Sequence, residues 1–267
     1  MGSARSVKGP TRRPMAVGNW KMHKTAAQAV GDAGELSQQI SDVRGMDILL
    51  APSFTALRSV GEALRGTAIG LCAQDMHWQD QGAYTGEVSP LQLVDVGCTA
   101  VLIGHSERRQ HFGETDEAVA QKTQAAIRHG LVPIVCVGET LAQRKAGRTE
   151  SLLEIQIQKG LGGLTPEQAA SIVIAYEPVW AIGTGLVADP NQIMEAHRLI
   201  RKKLAAIFGK ERNAEIRILY GGSVTPENIE GLVTIEEMDG VLVGGASQKP
   251  SGFAGIIRIF AHRTREV

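Results

Sequence analysis

From Met15 onward the chain alternates between short apolar runs and longer amphipathic stretches. Eight runs of four to six residues are rich in Val, Ile, Leu and Ala and do not alternate cleanly between apolar and polar positions. Runs of this length and composition predict β-strands buried on both faces, as in a parallel sheet. The runs are Met15–Gly18, Asp47–Ala51, Ala68–Ala73, Ala100–Ile103, Val132–Val137, Ile172–Ala175, Arg217–Tyr220 and Gly240–Val243.

The stretches between the runs carry apolar residues at helical spacing and the usual signals for helix ends. Asp189-Pro190 and Thr225-Pro226 each combine an N-cap residue with proline in the first turn, while Gly130 and Gly209 are typical stop signals. The predicted helices are Thr25–Ile40, Asp116–His129, Pro190–Phe208, Pro226–Gly231 and Phe253–His262. Strands and helices therefore alternate along the chain.

This alternation predicts parallel strands joined by helical crossovers. Eight such units in about 250 residues match a single (β/α)8 barrel, in which eight parallel strands are ringed by helices. An open, doubly wound sheet is the alternative, but Gly18-Asn19-Trp20-Lys21 stands after the first run, where that fold usually carries GxGxxG. No linker or low-complexity tract divides residues 15–267, so we expect one catalytic domain.

The first 14 residues differ in composition from the rest of the chain. They contain Arg5, Lys8, Arg12 and Arg13, no acidic residue, and no hydrophobic segment of the kind found in secretory signals. We therefore expect residues 1–14 to be a separate basic leader, disordered or artificially added. The whole chain has 28 basic and 28 acidic side chains, so the body without this leader has 24 basic against 28 acidic, a net charge of −4.

Composition also excludes several function classes. The net charge is zero and only 4% of residues are aromatic, whereas a nucleic-acid surface needs a basic stripe and stacking rings. No apolar run approaches the roughly 20 residues that span a bilayer. Cys72, Cys98 and Cys136 lie in apolar surroundings without a CxxC pair, which favours buried free thiols in a reducing compartment over a disulfide or a metal site.

In a (β/α)8 barrel, reactive groups lie just past the carboxyl ends of the strands. In this chain those positions hold polar, ionisable and glycine residues, whereas the opposite strand ends carry ordinary surface and turn residues. The residues concerned are Asn19, Lys21, Gln74, His105, Ser106, Glu107, Gly138, Glu139, Glu177, Ser223 and Ser247. This asymmetry predicts one site at one face, with a carboxylate, an imidazole and an ammonium group.

Two glycine pairs, Gly221-Gly222 and Gly244-Gly245, follow the last two runs. Consecutive glycines allow backbone N–H groups to approach an anion closely, and a helix start behind them adds a favourable dipole. Either pair alone is as well explained by a tight turn. Phosphate sites in barrels commonly use these two loops, however, so the two pairs together predict a phosphate-bearing substrate.

Five motifs in the chain follow one another in a specific order. They are Gly18-Asn19-Trp20-Lys21-Met22, Ile103-Gly104-His105-Ser106-Glu107-Arg108-Arg109, Ala175-Tyr176-Glu177-Pro178-Val179-Trp180-Ala181-Ile182-Gly183-Thr184-Gly185, Tyr220-Gly221-Gly222-Ser223 and Leu242-Val243-Gly244-Gly245-Ala246. These motifs resemble those of the triosephosphate isomerase family, over essentially residues 13–262. The resemblance implies interconversion of dihydroxyacetone phosphate and glyceraldehyde 3-phosphate through an enediolate, without cofactor or metal, in the glycolysis and gluconeogenesis of the cytoplasm.

The resemblance also implies roles for individual residues. Glu177 is expected to be the base and His105 the electrophile, whose imidazole must have a low pKa in order to donate from its neutral form; this pairing is a well-known example of pKa tuning in the family. Lys21, oriented by Asn19, supplies positive charge near the developing oxyanion. Phosphate is expected to bind at Asn19, Lys21, Gly183, Ser223, Gly244 and Gly245, with Ser106, Glu107 and Cys136 as supporting residues.

Among the supporting residues, Glu107 is expected to pair with Lys21. Ser106 is expected to cap a helix or to hold Glu177 when the site is empty. Cys136 is expected to be a buried structural thiol. A mobile lid is implied for the residues Pro178, Val179, Trp180, Ala181, Ile182, Gly183 and Thr184.

The loop from Gln74 to Pro90 is unusually long, and loops of this length are typically functional or in contact with a partner. It resembles the dimer loop of the family, which implies a homodimer in which Thr85 reaches Asn19 of the neighbouring subunit. The resemblance further implies that Glu87 meets Arg108 across the interface. The segment from Asp75 to Asp80 is expected to be the less constrained part of the loop.

Two other functions remain open on the residues alone. A different sugar-phosphate barrel enzyme would share the glycine pairs but should lack the combination of Asn19, Lys21, His105 and Glu177. An inactive barrel acting as a binding protein is disfavoured because every expected reactive residue is present.

Overall fold

Eight parallel strands close into a barrel, in which each strand pairs with the next along the chain and the last pairs with the first. The computed structural model describes residues 12–235 and 237–263. Its strands are β1 (Met15–Asn19), β2 (Asp47–Ala51), β3 (Ile69–Ala73), β4 (Cys98–Ile103), β5 (Val132–Val137), β6 (Val173–Tyr176), β7 (Arg217–Tyr220) and β8 (Gly240–Val243). The predicted barrel is confirmed, and the open sheet is excluded.

Helices surround this barrel in the described ranges. They are α1 (Ala26–Gln39), α2 (Leu57–Ala63), α3 (Pro90–Asp95), α4 (Ser106–His111), α5 (Asp116–Arg128), α6 (Leu141–Lys145), α7 (Thr149–Leu161), α8 (Pro166–Ala169), α9 (Pro190–Phe208), α10 (Lys210–Glu215), α11 (Ile229–Leu232) and α12 (Pro250–Arg263). The predictions for α1, α5, α9 and α12 are confirmed. At α9 the side chain of Asp189 accepts from the Gln192 N–H, and the Gln192 side chain accepts from the Asp189 N–H, which forms a capping box.

The prediction for α11 is wrong at its start. The helix begins at Ile229 with Asn228 in the N-cap position, and Thr225 does not cap it. Instead, the Asn228 side chain accepts from the Thr225 N–H at 2.9 Å and so closes a turn around Pro226. The other helices that sequence patterns did not identify are α2, α3, α4, α6, α7, α8 and α10; except for α7, they have at most seven residues and thus too few turns for a clear period.

The strands are apolar along their length because both faces are buried. Met15 and Val17 point into the barrel, where they pack with Leu219 and Leu242. Ala16 belongs instead to the layer between strands and helices. Since alternate residues serve two different cores, the strand sequences show no polar face.

Arg12 and Arg13, assigned to the leader by composition, contact the amino-terminal end of the barrel. The Nε atom of Arg12 lies 2.6 Å from Asp239 Oδ1, and the Nε atom of Arg13 lies 2.9 Å from Asp47 Oδ1. These ion pairs attach residues 12–14 to the body. The rest of the predicted leader, residues 1–11, lies outside the described residues.

The loop between β3 and α3 contains no helix or strand, as its composition predicts. The expectation that its first part is weakly constrained is wrong. Asp75, Met76 and His77 are all buried, and the Asp75 carboxylate lies 2.6 Å from the ammonium group of Lys122. Since both partners are buried, this ion pair fixes the start of the loop against α5.

None of the helices in the described ranges is long and apolar enough to cross a membrane.

Candidate active site

A cavity of about 310 Å³ opens at the carboxyl ends of the strands. It brings together all the residues predicted for catalysis and phosphate binding, namely Asn19, Lys21, His105, Glu177, Gly183, Ser223, Gly244 and Gly245. Sequence reasoning did not identify several other lining residues, including His23, Val224, Leu242 and Gln248. The predicted residues lie at the carboxyl ends of five strands, β1, β4, β6, β7 and β8, so only closure of the barrel brings them together.

Glu177 is held at the floor of this cavity by two neighbours from the start of α4. Its Oε2 accepts from the Ser106 backbone N–H at 2.9 Å, and its Oε1 lies 3.0 Å from His105 Nε2. Oε1 is buried, and among the described residues it makes no well-aligned hydrogen bond, although it contacts the His105 ring. One carboxylate oxygen is therefore anchored by a backbone N–H, whereas the other rests against the imidazole.

The charges of Glu177 and His105 shift each other's pKa. Burial alone would raise the pKa of Glu177, but the His105 imidazole, the Ser106 N–H and the Lys21 ammonium hold it below its ordinary value. Burial alone would lower the pKa of His105, but the Glu177 carboxylate raises it above its ordinary value. The expected low pKa of His105 is thus wrong for this arrangement, because the Glu177 carboxylate lies so close to the ring. The sequence could not show this distance.

His105 occupies the N-cap position of α4, and this position fixes its tautomer. Its Nδ1 accepts from the Glu107 backbone N–H at 3.2 Å. A nitrogen that accepts cannot carry a proton, so the neutral ring carries its hydrogen on Nε2, which faces the cavity. Ser106 is the first residue of α4 and not its cap. Of the two roles expected for it, the structure supports the holding of Glu177, through the backbone N–H.

Lys21 adopts a left-handed backbone conformation, with φ of +52°. The side chain of Asn19 stabilises this turn by accepting from the Lys21 N–H at 2.9 Å, and Gln74 donates to the Lys21 carbonyl at 2.8 Å. The Lys21 ammonium then lies 2.5 Å from Glu107 Oε1. The expected Lys21–Glu107 pair is confirmed. Gln74, predicted to belong to the dimer loop, also supports the active site within its own chain.

Other atoms approach three glycines of the site closely. A Cβ on Gly244 would lie 3.1 Å from Lys21 Cε, and one on Gly221 would lie 2.9 Å from Glu177 Cγ. A Cβ on Gly138 would lie 1.7 Å from the Glu177 carbonyl oxygen. Gly221 and Gly244 therefore leave room for the side chains of Glu177 and Lys21, whereas Gly138 leaves room for the Glu177 backbone.

The predicted lid lies over one side of the cavity. Val179–Ala181 form a 3₁₀ turn, and Gly183 has φ of +68°, a conformation that strongly favours glycine. Trp180 donates from Nε1 to Glu139 Oε1 at 3.0 Å, and Thr184 Oγ1 donates to the Trp180 carbonyl at 2.6 Å. Ile182 and Gly183 line the cavity.

Glu139 holds the lid through Trp180, a contact that the sequence did not reveal. Its buried carboxylate accepts from Trp180, from the Tyr176 hydroxyl at 3.1 Å and from Arg144 at 3.1 Å. Its position two residues after the end of β5 was the available signal in the sequence. The partner in the lid could be found only in three dimensions.

Cys136 is a buried residue of β5 and carries a free thiol. Burial raises the pKa of this thiol well above its ordinary value, and the nearby Glu177 carboxylate raises it further. The thiolate is therefore disfavoured, in agreement with a structural role. Cys72 and Cys98 are likewise buried free thiols, as predicted.

Arg108 lies at the junction between the long loop and α4. Within the chain its Nε is 2.9 Å from Asp75 Oδ2 and 2.9 Å from Glu114 Oε2. Thr85 and Glu87 are both exposed residues of the long loop. Their expected contacts across a dimer interface stay predictions. In the described ranges, no group of three or more His, Cys, Asp or Glu side chains is arranged to hold a metal ion.

The chain is similar to known proteins of one family. The sequence model of the family described as Triosephosphate isomerase matches residues 14–260. A triosephosphate isomerase of Citrifermentans bemidjiense is 53% identical over 92% of this chain and 98% of its own, and one of Carboxydothermus hydrogenoformans is 52% identical over the same shares. The crystal structure of triosephosphate isomerase from Bartonella henselae superposes with a TM-score of 0.84 at 39% identity, over 93% of this chain and 99% of that one.

These relatives match the barrel along nearly its whole length and carry a single activity in their names. That agreement favours the isomerase over the other sugar-phosphate enzymes considered from the sequence. The chain belongs to the triosephosphate isomerase family, whose members interconvert dihydroxyacetone phosphate and glyceraldehyde 3-phosphate.

Proposed function

We propose that this isomerase moves its proton with Glu177 as the base and His105 as the electrophile. The observation that carries the proposal is the position of the two side chains, 3.0 Å apart on the wall of one cavity that also contains Lys21 and the glycine-rich loops. The lowered pKa of Glu177 keeps it anionic near neutral pH, so it is ready to accept a proton.

The reaction removes a proton from one carbon of the substrate and returns it to the adjacent carbon. To reach those carbons the Glu177 carboxylate must leave the Ser106 N–H, which now holds it at 2.9 Å. Release from this hydrogen bond makes the carboxylate more basic, because the hydrogen bond stabilises its charged form. His105 donates from Nε2 to the oxygens of the enediolate and moves a proton between them.

Lys21 and backbone amides stabilise the negative charges of the enediolate and of the phosphate. The Lys21 ammonium stabilises the negative charge that develops on the enediolate oxygen. Glu107 holds the ammonium in place, and Asn19 holds the Lys21 backbone. The phosphate binds the N–H groups of Gly183, Ser223, Gly244 and Gly245, all of which line the cavity. Because Gly183 belongs to the lid, phosphate binding and lid closure are coupled.

Closure of Pro178–Thr184 excludes water from the enediolate. The support for this role is the unequal anchoring of the segment. Trp180 and Ala181 are buried, with Trp180 tied to Glu139, whereas Gly183 and Thr184 are exposed. A segment fixed at one end and exposed at the other can close as a flap around its glycine.

The active unit is a homodimer formed through the 74–90 loop. Large apolar side chains near this loop and near Lys21 are exposed in the single chain: Met22 is 95% exposed, Phe112 69% and Tyr84 44%. Exposed apolar groups of this size around a functional site favour a protein interface. In the dimer, Thr85 contacts Asn19 and Glu87 contacts Arg108 of the neighbouring subunit.

The enzyme works in the cytoplasm. The support is chemical: Cys72, Cys98 and Cys136 are all free thiols, as expected in a reducing compartment.

A coupled assay on glyceraldehyde 3-phosphate tests the assignment of the base. Glu177→Gln keeps the shape of the side chain but cannot accept the proton, so we expect kcat to fall by about a hundredfold or more. Glu211→Gln, on the exposed face of α10, is the matched control and should keep the wild-type rate. Full activity in Glu177→Gln would remove Glu177 as the base, and an inactive wild type would favour a binding protein.

A further inference from the structure

Arg109 is a residue of α4 that does not line the active-site cavity, yet it reaches the backbone next to His105. Its Nε donates to the Gly104 carbonyl at 2.7 Å. One terminal nitrogen donates to the Cys136 carbonyl at 3.3 Å, and the other donates to Asp116 Oδ1 at 2.6 Å. The guanidinium thus binds three acceptors on three different elements, β5, α5 and the turn after β4.

Gly104, the residue that precedes His105, is held through both its N–H and its carbonyl group. The Gly104 N–H donates to Glu114 Oε1 at 3.2 Å, and the Gly104 carbonyl accepts from Arg109. Gly104 has φ of +72°, and a Cβ there would lie 2.9 Å from Arg109 Nη2. The glycine is therefore required both by the backbone turn and by the guanidinium that lies against it.

Arg109 is also connected to Glu177, through residues of β5. Cys136 lies on β5, between the strand that precedes His105 and the strand that precedes Glu177. The next residue, Val137, accepts from the Glu177 N–H at 2.7 Å. Arg109 therefore connects the carboxyl end of β4 to the strand on which the Glu177 backbone rests.

We propose that Arg109 is a positioning residue for the isomerisation, which sets the direction of the His105 ring relative to Glu177. The proposal rests on the roles proposed above for these two residues. A planar guanidinium is needed because its donors are fixed in a fork that serves two carbonyls and a carboxylate together, whereas a lysine ammonium at the same place cannot reach all three. Small errors in the position of a reacting group lower the rate more than they lower binding.

Arg109→Lys is the direct test, because it keeps the charge and removes the fork. We expect kcat to fall by about tenfold or more while KM stays within about twofold. The dissociation constant for inorganic phosphate should stay unchanged, whereas a phosphorylated hydroxamate that mimics the enediolate should bind more weakly. Arg58→Lys, which replaces an exposed arginine of α2, is the matched control and should change none of these values.

A purely structural role would give a different result. Arg109→Lys would then melt at a lower temperature but keep its kcat per folded subunit and its affinity for the hydroxamate, and that outcome would overturn the proposal. If Arg109→Lys does not fold, Asp116→Asn tests the same point by loosening the guanidinium from α5, with a smaller fall in kcat expected. An unchanged kcat in folded Asp116→Asn would also count against positioning.

The His105→Asn variant separates this proposal from the one on which it depends. If His105→Asn is fully active, His105 is not the electrophile and both proposals fail. If His105→Asn is impaired but Arg109→Lys is not, only the positioning role fails. If both are impaired and Arg109→Lys binds phosphate normally, both proposals are supported.

Discussion

The carboxylate of Glu177 lies against the ring of His105, with 3.0 Å between Oε1 and Nε2. Each group stabilises the charged form of the other, so the pKa of the acid is lowered and that of the imidazole is raised. At the same time, the acceptor role of Nδ1 favours a neutral ring. Movement of Glu177 onto the substrate would remove the main cause of the raised pKa and leave His105 neutral, as an electrophile that donates a proton requires.

The effect of Glu177 on the pKa of His105 can be measured on the imidazole itself. Glu177→Gln removes the negative charge that raises the pKa of His105, while burial, which lowers it, stays. We expect the His105 pKa to be lower in Glu177→Gln than in the wild type, as followed by NMR titration of its ring protons. An equal or higher pKa in the variant would show that another group controls the ring.

Removal of the lid tip should uncouple the reaction without unfolding the barrel. Ala181–Thr184 lie outside every strand, so a chain lacking them should keep its circular dichroism spectrum. The enediolate would then be open to water, and its phosphate would be lost as inorganic phosphate during turnover. A phosphate-release assay checks this, with wild-type enzyme as the control. A shortened enzyme that releases no phosphate from its substrate would contradict the lid role.

His197 makes the stability of the fold depend on pH. Its Nδ1 faces the Glu237 carbonyl at 3.1 Å, its Nε2 has no hydrogen-bond partner among the described residues, and burial lowers its pKa to about 4. Between about pH 6.5 and pH 4 the unfolded chain binds a proton that the folded chain does not. Folding therefore loses stability as the pH falls through this window, by about 3 kcal/mol in all.

His197→Gln should flatten this dependence. Denaturant unfolding at fixed protein concentration, repeated from pH 7 to pH 4, measures the slope. His111→Gln, at an exposed histidine, is the control that should keep the wild-type slope. If His197→Gln loses as much stability as the wild type over the same range, His197 is not the group responsible.

Met22 provides a test of the dimer. It is 95% exposed and directly follows Lys21, so a dimer contact there would bury a large apolar side chain beside the active site. Met22→Glu would place a charge in that contact and should give a folded monomer of low activity in sedimentation experiments at micromolar concentration. Ile155→Glu, at a 48% exposed residue of α7, should stay dimeric. Dimers of wild-type strength in Met22→Glu would exclude this interface.

The sequence predicted the barrel well because its signal is local. Each strand serves two cores and is apolar throughout, as Val17 inside and Ala16 outside illustrate. Short helices such as α6 and α8 were not predicted, since four or five residues do not define a helical period. The start of α11 was misplaced because Asn228, and not Thr225, takes the capping position.

The residues that line the candidate site were likewise predictable, whereas their electrostatics were not. Asn19, Lys21, His105 and Glu177 follow strand ends within clear motifs. The pKa of His105 depends on a carboxylate 72 residues away in the sequence, and the anchoring of Trp180 depends on Glu139, which lies in another loop. Such contacts depend on side-chain positions that only the closed barrel defines.

Gly221 offers a last test, because it leaves the space in which Glu177 moves. A Cβ at this position would lie 2.9 Å from Glu177 Cγ, so Gly221→Ala should push the carboxylate off its path without touching its charge. We expect kcat to fall by about tenfold while inorganic phosphate binds normally, since the misplaced group is the proposed base. Gly31→Ala in α1, where a Cβ meets nothing within 4 Å, is the matched control and should keep kcat. It should also gain roughly 0.5–1 kcal/mol of stability, as alanine does in a helix. An unchanged kcat in Gly221→Ala would mean that Glu177 reaches the substrate by another path.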